Sequence, residues 1–166
     1  MARKRLDTIT PSALAIDSLE REMRYELALD FAESLARFTD ENFSAAAKVE
    51  FPPFIRGYIS VSLVLAAKFW RALLAAVAGE TFVTARIENV ADELWITITG
   101  ERGIEVEMKD CFYLIKTARA AGFKPYFEAG VFQLRTALRL SRSAAIYAPG
   151  YDGLDLYRIL CKLMFE

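Results

Sequence analysis

The chain has 166 residues, 54% of them hydrophobic, and its 21 lysines and arginines nearly balance its 22 aspartates and glutamates. This length and composition fit one globular domain with a sizeable core and exclude a disordered chain. A net charge of -1 gives no overall attraction to nucleic acid or to an anionic membrane surface. The chain has no histidine, which excludes histidine phosphoacceptors, histidine-activated nucleophiles and histidine metal ligands.

The cysteines and the start of the chain indicate a compartment. Cys111 and Cys161 lie in apolar runs without C-x-x-C spacing, which favours reduced, packed thiols over a disulfide framework. The basic residues at the start are not followed by the apolar run of a secretory signal. We therefore expect a cytoplasmic protein.

A long amphipathic helix is predicted from near residue 11 to near residue 38. Thr10 and Pro11 resemble an N-cap and a first-turn proline. Apolar residues then recur every three or four positions, at Ile16, Leu19, Met23, Leu27, Phe31, Leu35 and Phe38. The opposite face is charged and is expected to be solvated. Two interpretations stay open, because the helix could cover a core or pair two subunits.

Residues 39–48 predict a short second helix, and Pro52-Pro53 keeps the extended segment after it out of a central strand. This break separates an N-terminal helical segment, residues 1–48, from a compact remainder, residues 49–166.

Residues 58–79 are apolar nearly all round and end on a glycine suited to a helix C-cap. Lys68 and Arg71 fall in the middle of this run. A charge at the centre of a bilayer costs about 2.5 to 3.5 kcal/mol, so we expect a helix buried between a sheet and another helix rather than a membrane span. The two cations should reach its edge.

Two alternating runs between Thr81 and Gly100 predict a β-hairpin with its turn at residues 89–93. One face should be formed by Val83, Ala85, Ile87, Leu94, Ile96 and Ile98. Gly100 and Gly103 follow, and such glycines let the backbone turn sharply or approach a ligand closely. The alternative is a plain turn, in which Glu101 and Arg102 are solvated and Gly103 only relieves a positive φ. Trp70 and Trp95 are expected to pack in the core or against the N-terminal helix.

The rest of the chain predicts two further helices and a closing hairpin. In order these are a helix at 108–121 that ends at Gly122, a loop at 123–130, a helix at 131–142 with an outer stripe of Arg135, Arg139 and Arg142, a strand at 144–148, a turn at 149–153 and a strand at 154–164.

This order resembles the ATP-binding domain of the histidine kinase-like ATPases, the GHKL or Bergerat fold, over about residues 49 to 164. In that family a buried helix precedes a strand pair, the second strand ends in an Asp-x-Gly-x-Gly loop beneath adenine, a glycine-rich lid precedes a further helix, and two final strands close the sheet. The resemblance implies an α+β fold, a two-layer sandwich of a mixed sheet and helices, preceded by a long N-terminal helix or helical hairpin.

The counterparts in this sequence are the helix at 58–79, the segment ELWITITGERGI, the loop at 122–130 as the lid, and residues 131–165 as the closing helix and strands. The resemblance therefore places a nucleotide pocket at Glu101, Gly103, Gly122 and Gly130. It also places the helix near residues 11–38 where such kinases carry their dimerisation helices.

Several family features are missing. The asparagine that holds magnesium is absent from the buried helix, because the chain has only Asn42 and Asn89. Gly100 stands where the adenine-binding acid should be, and Glu101 comes one residue later, which on a strand turns its side chain to the opposite face. The lid has Gly122 and Gly130 without closely spaced glycines that would expose amides to a phosphate.

Two hypotheses follow. The first is a degenerate, non-catalytic signalling or protein-interaction module with no cofactor and no metal, which binds a protein partner or forms a homodimer through its N-terminal helix, without nucleic acid or membrane. The alternative is an ATP-binding, kinase-like protein that uses Mg-ATP in a site rebuilt around Glu101 and Gly103.

Overall fold

The computed structural model describes residues 22–77, 79–140 and 155–164. These residues form seven strands and four helices. In chain order they are β1 (Arg24–Leu27), α1 (Ala28–Phe43), β2 (Ala47–Glu50), β3 (Tyr58–Val61), α2 (Leu63–Ala76), β4 (Val83–Val90), β5 (Glu93–Gly100), α3 (Met108–Ala121), β6 (Lys124–Glu128), β7 (Val131–Ala137) and α4 (Leu156–Met164).

A five-stranded mixed sheet forms one layer, in the order β2-β4-β5-β7-β6. The pairing of β2 with β4 is parallel, and the other pairings are antiparallel. Alternate residues of β4, β5 and β7 are buried on one face of the sheet, and the helices cover that face. β1 and β3 form a separate antiparallel pair. The predicted α+β sandwich is confirmed.

The β4–β5 hairpin has the predicted faces. Its register pairs Val83 with Gly100 and Val90 with Glu93, and all six residues predicted to share a face are buried. The turn is tight, with Ala91 at φ +54°. The side-chain amide of Asn89 donates to the carbonyls of Ala91 and Glu93, at 2.9 and 3.0 Å, which fixes the turn and the register together.

Helix α2 is apolar nearly all round because neighbours pack on several sides. It contacts α3 and α4, and Trp70, which is buried, donates from Nε1 to Thr39 Oγ1 of α1 at 2.9 Å. The helix starts later than the predicted residue 58, since Tyr58–Val61 pairs with β1. Arg71 reaches the helix edge as predicted and donates to the Leu163 carbonyl of α4. No helix in the described ranges is long and apolar enough to cross a membrane.

The N-terminal helix differs from the prediction in its bounds. Residues up to 21 lie outside the described ranges, residues 24–27 are strand β1, and α1 begins only at Ala28. The predicted short helix at 39–48 is wrong, because α1 runs on to Phe43 and Ala47–Glu50 pairs with β4. Local helical periodicity here is overridden by strand pairing. The apolar stripe of α1 is buried in the hydrophobic core of the chain. Its buried apolar residues are Ala28, Phe31, Ala32, Leu35 and Phe38.

Three predictions for the C-terminal part are wrong. Residues 124–128, predicted as loop, form β6, and residues 131–137, predicted as helix, form β7 with alternate burial of Phe132 and Leu134. The predicted strand at 154–164 is helix α4, whose buried residues have helical spacing, at Leu156, Ile159, Leu160 and Leu163. The predicted strand at 144–148 and turn at 149–153 lie outside the described ranges. The helix at 108–121 is confirmed, and Gly122 caps it at φ +111°.

The second face of the sheet carries a polar and aromatic row. The Arg135 guanidinium lies 4.0 Å from the Trp95 ring centre and 4.5 Å from that of Tyr126, an arrangement that favours a cation over each ring. Trp95 is half-buried on this face, so its predicted place in the core is wrong. The predicted helical stripe is also absent, because Arg135 lies on a strand, Arg139 follows it and Arg142 lies outside the described ranges.

Candidate functional site

The structure brings three of the four predicted site residues together at one end of the strands of the sheet. Glu101 and Gly103 lie in the turn after β5, and Gly130 lies in the turn between β6 and β7. The Ile104 N–H donates to the Gly130 carbonyl at 2.9 Å. Gly122 lies elsewhere, because a Cβ atom there would be 2.8 Å from the Ser60 carbonyl oxygen of β3.

Gly100 is the last residue of β5 and lies on the same face of the sheet as Ile96 and Ile98, the face that the helices cover. A Cβ atom at Gly100 would lie 2.8 Å from Thr81 Oγ1 and 2.9 Å from Thr81 Cγ2, which is closer than the roughly 3.5 to 4.0 Å of a good non-bonded contact. Thr81 is held there, since its Oγ1 accepts the Arg102 N–H at 3.1 Å. The space for an acidic side chain at residue 100 is therefore filled by Thr81.

Glu101 is exposed and points away from that face. Its N–H donates to the Phe82 carbonyl at 3.1 Å, which continues the strand pairing by one residue. Alternation along a strand puts its side chain opposite to that of residue 100, as the sequence predicts.

An open cleft lies beside this turn, at the C-terminal end of α2. Its volume is about 430 Å³, and it is lined by Val77, Gly79, Glu80, Thr81, Arg102, Gly103 and Glu105. An adjoining cleft of about 250 Å³ adds Glu101. Together the two clefts are lined by one arginine and three glutamates, a formal charge of 1 - 3 = -2. Like charges repel, so this surface disfavours a polyphosphate. Within the described ranges, no group of acidic or cysteine side chains is arranged to hold a metal ion.

The interior beneath β5 is nearly full. The cavity between the sheet and helices α1, α2 and α3 has a volume of about 20 Å³ and an apolar lining that includes Phe31, Phe69, Trp70, Ile96 and Ile98. A single water needs roughly 10 to 15 Å³, whereas ligand pockets measure roughly 300 to 1,000 Å³. A purine base has no room there.

The connection that corresponds to the lid is short. In the family order the lid precedes the helix that is followed by the last two strands of the sheet. In this structure that helix is α3, and only residues 101–107 separate it from β5, with Gly103 as the one glycine. The segment interpreted from the sequence as a lid, residues 122–130, instead contains the α3 cap and strand β6.

Sequence reasoning missed Thr81 as a site residue. No motif marks it, but the hairpin register does. The hairpin register pairs Val90 with Glu93 and Val83 with Gly100. Extending this register by two residues places Thr81 opposite Arg102, so the contact can be found from the sequence of the hairpin.

A further cleft, of about 340 Å³, lies between β1, α1 and α4 and is lined mainly by acidic side chains. Burial raises the pKa of Glu26, and Asp30 and Asp155 add to this, while Arg24, at 3.1 Å, acts in the opposite direction. Tyr157 donates to Glu41 at 2.5 Å, which raises the pKa of Tyr157 to about 12 and lowers that of Glu41. These contacts join α4 to α1.

No family model matches the chain, and no curated protein matches its sequence. Among solved structures it is similar to the histidine kinase AdeS of Acinetobacter baumannii, with a TM-score of 0.50 and 11% identity over 82% of this chain and 80% of that one. It is also similar to the catalytic domain of the histidine kinase ThkA (TM-score 0.49, 8% identity, 70% and 97% covered) and to a histidine kinase from Burkholderia phymatum (0.43, 13%, 82% and 78%).

The likeness to AdeS defines a fold class. The chain has the fold of the histidine kinase ATPase domains. The resemblance to the GHKL or Bergerat fold stated from the sequence is thereby confirmed at the level of the fold.

Proposed function

We propose that this chain is a degenerate, non-catalytic module with a histidine kinase ATPase-like fold that works in signalling by binding other proteins. The observation that carries the proposal is the packing of Thr81 against Gly100, at 2.8 Å from where a Cβ would stand. An acid at residue 100 is what the family uses to bind adenine, and here its space is occupied.

Three further features support the loss of nucleotide chemistry. Helix α2 has no asparagine to hold magnesium. The two adjoining clefts at its end together carry a formal charge of 1 - 3 = -2 from Arg102, Glu80, Glu101 and Glu105. The connection before α3 is too short and too poor in glycine to wrap a triphosphate with backbone amides.

One observation favours the second candidate, an ATP-binding, kinase-like protein. The cleft of about 430 Å³ beside Arg102 and Gly103 is within the size range of small-molecule sites. In this candidate Glu101 and Gly103 would contact the base of Mg-ATP, and Arg102 would face the phosphates.

Thermal unfolding with millimolar Mg-ATP separates the two candidates. A specific ligand at 100 times its Kd stabilises a fold by about 2.7 kcal/mol, which for a chain of this size raises Tm by roughly 5 to 10 °C. We expect no increase for this chain. An increase of several degrees that disappears in Glu101→Ala would favour the ATP-binding candidate instead.

We also propose a homodimer or a protein partner through the N-terminal segment, in the cytoplasm, where the free thiols of Cys111 and Cys161 would stay reduced. The apolar residues of α1 are buried in the core, and residues 1–21 of the predicted N-terminal helical segment lie outside the described ranges. Sizing the full chain beside a variant that lacks residues 1–21 tests the homodimer. We expect the full chain to run as a dimer and the shortened variant as a monomer. If both run as monomers, the pairing is wrong.

A further inference from the structure

The outer face of α3 exposes large apolar side chains. Met108, Phe112 and Tyr113 are 76%, 67% and 48% exposed. Met108 and Phe112 are four residues apart, so they lie on one side of the helix, and Tyr113 lies about 100° further round it. Apolar side chains gathered in this way on one exposed face mark an interaction site more often than single ones do.

The same face continues into positive charge. Lys116 follows Phe112 by four residues and Arg119 follows Lys116 by three, and both are exposed. Neither takes part in an ion pair of 4.0 Å or less among those found in the described ranges. The acidic groups of this region lie at the opposite end of the helix, where Glu107 is 3.7 Å from Lys109 and Asp110 is half-buried.

This arrangement fits a protein segment better than a membrane. To insert Met108 and Phe112 among lipids, the helix would have to bring the neighbouring Glu105 and Glu107 to a uniformly anionic surface, which repels them. A peptide helix can instead carry its carboxylates only at the end that meets Lys116 and Arg119. A second copy of the chain fits less well through its described acidic helix, because α1 exposes Asp30, Glu33, Asp40 and Glu41 but no large apolar side chain.

We propose that Met108, Phe112, Tyr113, Lys116 and Arg119, the α3 outer face, dock an acidic amphipathic helix of a partner protein. Its apolar side chains pack on Met108 and Phe112, and its carboxylates pair with Lys116 and Arg119. This is the helix-on-surface mode in which apolar anchors give affinity and charges set the orientation. The inference rests on the proposed function, since a module that works by contact needs such a surface.

The test uses the ¹⁵N-labelled full chain and a synthetic helical peptide with leucines at i, i+3, i+4 and i+7 and glutamates on its flank. We expect amide shifts confined to α3 and its neighbours. A second peptide with glutamine in place of each glutamate should bind several-fold more weakly. Phe112→Ser should weaken binding about tenfold, as expected for an aromatic anchor, whereas Phe54→Ser should have no effect. Phe54 is the matched control because it is 68% exposed and lies outside α3.

Four results would overturn the proposal: no shifts on α3 at millimolar peptide, equal losses in Phe112→Ser and Phe54→Ser, α3 shifts with anionic vesicles but not with peptide, or α3 shifts that grow with the concentration of the chain alone. Mg-ATP enters none of these measurements. Failure of the docking surface is therefore distinguishable from failure of the non-catalytic function, which the melting experiment decides.

Discussion

The sides of helix α2 and its C-terminal end have different surroundings. Along its length the helix is enclosed by α1, α3, α4 and the sheet, and the space left inside measures about 20 Å³. Its C-terminal end opens on a polar cleft of about 430 Å³ with three glutamates nearby. The packing along α2 therefore leaves almost no space, whereas the clefts at its C-terminal end are open and their charged lining is mainly acidic. Fold and site chemistry are separable properties of a chain.

The largest expected effect comes from the enclosed side. Trp70→Ala should destabilise the protein by about 3 to 5 kcal/mol, because it leaves a cavity under the sheet and removes the donor to Thr39 Oγ1. Urea unfolding monitored by circular dichroism measures the loss. The matched control is Trp95→Ala on the opposite face of the sheet, which should cost clearly less. Equal losses would contradict the contrast between the two faces.

Helix α4 tests whether the C-terminal residues belong to the same core. Leu160 is fully buried, so Leu160→Ala should cost about 2 to 5 kcal/mol. Leu140→Ala is the control, since Leu140 is 72% exposed and should change the free energy of unfolding by less than about 0.5 kcal/mol. An unaltered urea midpoint for Leu160→Ala would show that α4 is not part of the core.

The cleft side can be tested by restoring the missing acid. Gly100→Asp should destabilise the fold by about 1 to 3 kcal/mol, the usual cost of overpacking, because its Cβ meets Thr81. The double variant Gly100→Asp, Thr81→Ala should recover part of that loss. If Gly100→Asp alone leaves the urea midpoint unchanged, Thr81 does not fill the site as described.

The smallest expected effect concerns the charge of Glu26, which lines the cleft between β1, α1 and α4. Burial raises the pKa of Glu26 above 4.5, so the folded state favours the neutral form more than the unfolded state does. The stability that this contributes is present below the unfolded pKa and is lost as pH rises through the folded pKa. Glu26→Gln should therefore be more stable relative to the wild type at pH 7 than at pH 4. A relative stability that is the same at both values, or that falls, would contradict the assignment.

Regions with an unambiguous period could be predicted from the sequence. The hairpin alternates strictly from Val83 to Ile87 and from Leu94 to Ile98, and α3 ends on a glycine, so both were predicted correctly. The predicted strand at 154–164 is wrong although Leu156, Ile159, Leu160 and Leu163 have helical spacing. The helix prediction fails at strand β1 because its partner among the described strands, β3, lies more than thirty residues away in the chain.

The candidate site was predictable only in part. The displaced acid and the missing asparagine could be read from single positions, and Glu101 does face away from the helices. The filling of the site by Thr81 and the small interior cavity depend on contacts between distant segments, which local patterns do not encode. The place of the lid also depended on identifying the last two strands, and these came earlier than predicted.

Direct binding of labelled ATP to the full chain, by equilibrium dialysis in the presence of magnesium, tests the central claim most directly. The account predicts no saturable binding up to millimolar nucleotide, with or without magnesium. Saturable, magnesium-dependent binding in the micromolar range that is lost in Glu101→Ala would contradict it and establish a working nucleotide site at the end of β5.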